Sequence, residues 1–256
     1  MIFESHAHYD DEKFDSDRVE LLSVMREHNI ETIVNIGASF KGAQDSIALA
    51  EQFEDVYAAI GIHPENTEDL TDENFAWVEA NAGHEKVVAI GEIGLDYYWI
   101  KDPDTQKLQR ESLIKQLEIA SRVKLPVVIH SRDAAEDTLA IMKDYQDLDG
   151  VIHCFSYSRE LAREYVKMGF YIGVGGVVTF KNGRKMVEVV EDTPMDRILL
   201  ETDSPYLTPE PNRGKRNDYN NLIYIAAKIA EIKGLSTEEV IEATRDNARR
   251  MYYKVR

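Results

Sequence analysis

Five of the seven histidines in this chain, His6, His8, His63, His130 and His153, close or directly follow short apolar runs, and Glu92 and Asp203 end runs of the same kind. His28 and His84 fall in helix or turn context. Imidazole nitrogen with carboxylate oxygen suits zinc, manganese, iron or nickel, and serves magnesium less well. His6 and His8 are two positions apart, so on a strand both rings project from one face and can approach a cation from one side. His6, His8, Glu92, His130, His153 and Asp203 together exceed what one tetrahedral ion takes. They suit two divalent cations per chain (Mg, Mn, Zn, Ni or Fe) sharing a carboxylate, with Glu92 as the natural bridge. A lone His-x-His, or one histidine ending a strand, is more often a hydrogen-bonded structural residue. Six such residues on five strand ends are hard to explain that way.

The elements that would position them are legible as alternation. Eight apolar runs read as strands: Ile2–His6, Thr32–Gly37, Val56–Ile62, Val87–Glu92, Val127–His130, Val151–Cys154, Phe170–Val174 and Ile198–Asp203. Several are apolar at successive positions, as parallel strands buried on both faces are. Helical spacing fills gaps between them. Val19, Leu22 and Met25 recur within Asp17–Glu27, and Leu113, Leu117 and Ala120 recur within Asp104–Lys124 before Pro126. Ser158–Lys167 and Gly183–Glu191 are shorter candidates, and Asn221–Lys233 and Thr237–Tyr252 follow a loop rich in proline. Ser236 and Glu239 have the spacing of a capping box. Strand–helix alternation with right-handed crossovers predicts an α/β fold, a (β/α)₈ TIM barrel spanning residues 1–256 as one domain. The metal site then falls at the C-terminal rim of the strands, where barrel enzymes build their active sites.

Bulk properties narrow the class. Hydrophobic residues make up 43% and charged residues 30%, the balance of a globular chain, and no apolar run approaches membrane-spanning length. No basic segment followed by an apolar stretch opens the chain, and the lone Cys154 excludes an intrachain disulfide, so a cytoplasmic location is expected. A net charge of −17 excludes the extended basic surface of many nucleic-acid binders. Two bound dications would restore positive charge locally, which leaves room for a small phosphate site with salt-sensitive contacts.

Longer blocks carry a family resemblance. SHAHYD near the start, IGIHPE at 60–65, AIGEIGLDYY at 89–98, PVVIHSRDA from Pro126, VIHCFS from Val151, YIGVGG from Tyr171, LLETDSPYL from Leu199 and RGKRN from Arg213 run in order through the chain. Together they resemble the TatD family of metal-dependent deoxyribonucleases. The resemblance implies an amidohydrolase-type barrel that hydrolyses DNA phosphodiester bonds with divalent cations, with 3′-to-5′ exonuclease polarity. It implies one metal on His6, His8, Glu92 and Asp203 and another on Glu92, His130 and His153, with His63 near the substrate phosphate. Position 4, often Asp in that family, is Glu4 here and faces the same way as His6.

The chemistry expected is attack by a hydroxide generated between two cations, which also clamp the attacking and leaving oxygens. Asp203 is the candidate proton acceptor, Glu92 the bridging catalytic carboxylate, and His63 a donor to a phosphate oxygen or to the leaving group. Arg132 and Arg213 are expected to bind phosphate; Lys215 and Arg216 divide evenly between that and a solvated basic loop. Tyr97, Tyr98 and Trp99 either stack bases or pack a loop onto the barrel. Glu201 shares a strand face with Asp203 and is placed to orient a ligand, while Cys154 should point away from the interior. DNA with single-stranded or short ends is the expected partner, with RNA second, and neither a membrane nor an obligate protein partner is expected. Two other functions stay open: an amide, lactone or ester hydrolase on the same barrel, and a non-catalytic metal-binding scaffold.

Overall fold

The structure, a computed structural model, describes residues 1–255. Eight parallel strands follow one another in register order around a nearly closed barrel. They are β1 (Ile2–Ala7), β2 (Ile30–Gly37), β3 (Val56–Ile60), β4 (Val87–Asp96), β5 (Val127–Arg132), β6 (Gly150–Ile152), β7 (Tyr171–Val174) and β8 (Ile198–Leu200). The seam lies between β1 and β8. There Ser5 Oγ donates to the Leu200 carbonyl at 2.9 Å, Asp203 N donates to the His6 carbonyl at 3.0 Å, and His8 N to the Ser204 carbonyl at 2.8 Å. Most closure hydrogen bonds therefore run just past the end of β8, through the residues that carry the site.

The helices are α1 (Arg18–Ser23), α2 (Phe40–Gln52), α3 (Asp72–Asn81), α4 (Pro103–Val123), α5 (Ala135–Met142), α6 (Arg159–Lys167), α7 (Arg184–Asp192), α8 (Leu222–Lys233) and α9 (Thr237–Met251). Their caps follow from the residue types. Asp102 accepts from Thr105 N with Pro103 next in line, and Lys124 ends α4 in the left-handed region. Ser236 and Glu239 form the expected capping box at the start of α9. Between Asp17 and Glu27 the helix is shorter than its spacing suggests. It breaks at Val24 into a 3₁₀ turn, and Val19 faces solvent while Leu22 and Met25 are buried.

Two apolar layers result. Strand residues such as Ile33, Ala58, Val127, Ile129, Ile152, Ile172, Ile198 and Leu200 face outward and pack beneath the helices. Their neighbours Val34, Ile36, Tyr57, Ala59, Val128, Val151, Tyr171 and Leu199 fill the barrel interior with Phe3. Ala248, Met251 and Tyr252 of the last helix and its end plug the floor of that interior, and the Tyr252 ring stacks on Phe3 at 5.9 Å and 1°. The period of two then decides what stands above the floor. His130 continues the inward parity of Val128, His153 that of Val151, and Glu201 and Asp203 that of Leu199. No helix among the described residues is long and apolar enough to cross a membrane.

Candidate metal centre

Glu92 lies at the middle of the mouth, buried, with each carboxylate oxygen facing a different set of rings. Its Oε2 is 3.6 Å from His6 Nε2 and 3.7 Å from His8 Nε2. Its Oε1 is 2.9 Å from His130 Nδ1, and 3.5 Å from both His63 Nε2 and His153 Nε2. Asp203 Oδ1 closes the first group, 3.5 Å from His8 Nε2 and 3.8 Å from His6 Nε2, and lies 4.0 Å from His153 Nε2. All six residues expected to ligate metal thus converge, and His63 stands beside them.

The donor chemistry fits cations. The Nε2 atoms of His6 and His8 are 3.2 Å apart, close to the roughly 3.4 Å expected of two nitrogens about 2.1 Å from one tetrahedral ion. His8 Nδ1 lies 2.8 Å from the Ile36 carbonyl, which holds a proton on Nδ1 and leaves Nε2 as the nitrogen a cation would take on displacing its proton. The groups His6–His8–Asp203 and His63–Glu92–His130 each bring their ligand atoms within 4.8 Å of one another. Without a cation the balance is strained. Burial opposes charge on Glu92, yet the surrounding histidines His153 and His63, with bonds from His130 and His6, hold it ionised well below the usual carboxylate range. Burial also works against a charged His8, but the Asp203 bond and the Glu92 charge outweigh it and push the ring up to about 10. Burial likewise opposes charge on His130, and Asp96 and Glu92 raise it to about 9. Burial and the neighbouring His153 push His6 down to about 4, and its Nδ1 is buried with no partner among the described residues.

An outer ring of carboxylates holds the histidines. Glu201 Oε1 is 3.2 Å from His153 Nδ1, an ion-pair distance without hydrogen-bond alignment, and accepts the Cys154 amide at 2.7 Å. Gly173 makes space for it, since a Cβ there would stand 2.5 Å from Glu201 Oε2. Glu4 Oε1 accepts the amides of Thr202 and His6 at 2.9 and 3.3 Å, and burial pushes this carboxyl up to about 8 against those bonds. The longer side chain thus bridges β1 to the segment carrying Asp203. Asp96 lies beyond the strand expected to end at Glu92, because β4 runs on to Asp96. The continuing apolar positions Ile93 and Leu95 were the available signal. Asp96 Oδ2 lies 3.2 Å from His130 Nε2.

Cys154 does not point away from the interior as strand alternation predicts. β6 ends at Ile152, Cys154 takes a left-handed φ of 43°, and its sulfur lies within 4.8 Å of ligand atoms of His153 and Asp203. Asp203 shares that conformation at φ 59°. Non-glycine residues so held cost of order 1–3 kcal/mol and concentrate at functional sites.

Around the mouth the arginines separate. Arg216 is committed: it grips Asp17 at 2.6 and 2.7 Å and lies over the Phe14 ring, so it belongs to the packed loop. Among the described residues the Lys215 ammonium reaches only Asn212 Oδ1, at 3.3 Å. Arg213 rests on the Phe180 ring and donates to the Thr208 carbonyl, and Arg132 stacks 3.9 Å over Tyr98. Neither has a carboxylate partner among the described residues, whereas Arg26, Arg122, Arg163 and Arg249 all do. The aromatic trio also separates. Tyr97 Oη donates to Asp137 at 2.7 Å and accepts from Arg110, while Tyr98 and Trp99 are 43% and 60% exposed.

Seven nitrogen and oxygen donors converging at the C-terminal mouth of a (β/α)₈ barrel define a metal-dependent hydrolase of that fold. The match to known proteins is specific. Residues 3–253 fit the model of the TatD related DNase family, and the chain belongs to that family. It is 44% identical to an uncharacterized metal-dependent hydrolase, YabD, of Bacillus subtilis (strain 168), over 98% of this chain and 99% of that one. It is 34% identical to the 3′-5′ ssDNA/RNA exonuclease TatD of Cronobacter sakazakii, over 94% of each. Among solved structures, the TatD homolog YJJV of Escherichia coli K12 superposes with a TM-score of 0.90 at 29% identity, over 98% of each chain.

Proposed function

We propose that this chain is a divalent-cation-dependent nuclease that hydrolyses phosphodiester bonds of single-stranded DNA, and secondarily RNA, from the 3′ end. The observation that carries the reading is the division of Glu92: one oxygen faces His6 and His8, the other His63, His130 and His153. One cation would be held by His6, His8, Glu92 and Asp203, a second by Glu92, His130 and His153. Bound there, such ions supply charge neutralisation at the phosphoryl oxygens and acidify water at neutral pH.

The remaining roles belong to side chains. Asp203, kept ionised by its histidine neighbours against the cost of burial, accepts the proton of the attacking water. His63 Nδ1 accepts the Glu65 amide at 3.2 Å, which fixes the proton on Nε2. Burial and the adjacent His130 keep that ring neutral, so it offers an N–H to a phosphate oxygen rather than a lone pair to a metal. Arg132 and Arg213 have guanidinium donors to spare for the flanking phosphates. The relative named an exonuclease supports the polymer and the polarity.

The test is an end-labelled single-stranded oligonucleotide run beside a panel of esters, lactones and amides, across several cations and with chelator. Metal-dependent laddering from the 3′ end is expected. Turnover of esters or amides alone would replace the nuclease by a general hydrolase, and His130→Ala with Asp203→Asn separates catalysis from a purely structural centre.

A further inference from the structure

We propose that Trp99, with Tyr98 and Arg132, forms a shelf at the barrel mouth on which one unstacked nucleobase of the substrate lies while its phosphate sits at the metal centre. The inference rests on the nuclease reading and adds to it what makes a flexible strand the preferred substrate.

Three observations converge on the shelf. The turn after β4 is held rigidly to the centre by one carboxylate. Asp96 Oδ2 meets His130 Nε2 at 3.2 Å, while its Oδ1 accepts the amides of Tyr98 and Trp99 at 2.9 and 2.8 Å. One side chain therefore separates a candidate ligand from the aromatic pair. The turn also does not rest on those rings for its anchoring: the Tyr97 hydroxyl ties it to Asp137 and Arg110 and Asp96 takes its amides, leaving Trp99 60% exposed. Large apolar surface left in water beside an active site marks binding rather than core.

The guanidinium supplies the third observation. Arg132 lies 3.9 Å over Tyr98 and 5.5 Å from Trp99, with no carboxylate or side-chain hydrogen bond among the described residues. In a chain of net charge −17, an arginine left without a carboxylate is available to an external anion. Stacking fixes its plane and leaves its donors free for a phosphate. An aromatic face beside a phosphate-directed arginine is the arrangement that holds single-stranded nucleic acid without reading its sequence. A base inside a duplex has both faces covered and cannot use it.

The experiment compares a single-stranded oligonucleotide with one in which the nucleotides flanking the terminal phosphodiester are abasic. A 2-aminopurine version reports stacking directly. The parent should favour the intact strand in kcat/KM by roughly tenfold or more, mainly through KM. Trp99→Ala should bring that ratio toward one and Trp99→Phe should retain most of it, while Tyr253→Ala, which removes a 53% exposed ring just past the last helix, should leave it at the parent value. 2-Aminopurine fluorescence should be quenched on binding to the parent and not to Trp99→Ala. Equal rates on intact and abasic strands, or a ratio unmoved by Trp99→Ala, would overturn the shelf while the nuclease stands. Quenching that depends on Trp99, without cleavage under any cation, would keep the shelf and sink the nuclease.

Discussion

His153 and Glu201 face each other at the barrel mouth, Nδ1 to Oε1 at 3.2 Å, in a space that exists because residue 173 has no side chain. A carboxylate behind a histidine favours a proton on the near nitrogen and leaves the opposite one for a cation. Gly173→Ala would place a methyl group 2.5 Å from Glu201 Oε2 and force that carboxylate to move. Metal affinity should fall roughly 10- to 100-fold, the usual cost of losing such support. Competition with a chromophoric chelator measures it, and an unchanged affinity would show the contact to be idle.

The proposed bridging role of Glu92 predicts a metal stoichiometry. Elemental analysis after desalting should give two equivalents for the parent and about one for His130→Ala or His8→Ala. Glu92→Gln should weaken both sites together. One equivalent in the parent, under saturating cation, is the result that rejects a paired centre.

Binding should expel protons. In the metal-free chain His8 is pushed up to about 10 and His130 to about 9, so both are protonated at neutral pH, whereas Glu92 and Asp203 are held ionised. Cations must displace those histidine protons, and apparent affinity should rise with pH through the neutral range. Calorimetry in two buffers of different ionisation enthalpy should reveal net release, and net uptake would contradict it. The linkage to stability has the opposite sense. The raised histidines stabilise the metal-free fold fully below about pH 6.5, the ordinary value, and that contribution is lost as pH climbs through 9 to 10.

The two classes of arginine should behave differently. Arg132→Ala or Arg213→Ala should raise KM for an oligonucleotide roughly tenfold and lower the logarithmic salt slope by about one each. Arg216→Ala should leave KM in place and lower the melting temperature, since its guanidinium is spent on Asp17 and Phe14. Equal KM effects from all three would place the loop as a whole on the substrate.

The eight strands were legible because parallel strands buried on both faces are apolar throughout, and the histidines ending them stood out by type. Helices α2, α3 and α5 were harder to see. α2 buries mainly small residues, Gly42, Ala43, Ser46 and Ala50, and α3 buries only Phe75 and Val78, so neither shows a wide apolar stripe. Asp96 and the true direction of Cys154 were lost for one reason. A sequence shows the period of a strand but not where the strand stops, and both residues sit where that stop was misplaced by a few positions. That Arg216 is committed to Asp17 while Arg132 is left without a carboxylate depends on neighbours distant in the chain, which no local pattern encodes.

The seam of the barrel has a kinetic consequence. Tyr252 binds the Ser5 carbonyl across 247 positions, and Ser5 reaches Leu200 across 195. Contacts between such remote segments carry the largest loop-closure cost and are expected to form after the local βα units. Until then β1 and β8 each present an unpaired edge on which other chains can add. The ring joint that gathers the candidate metal donors should thus also be the step at which refolding competes with aggregation, and a cation that gathers both sides of the joint should speed its closure.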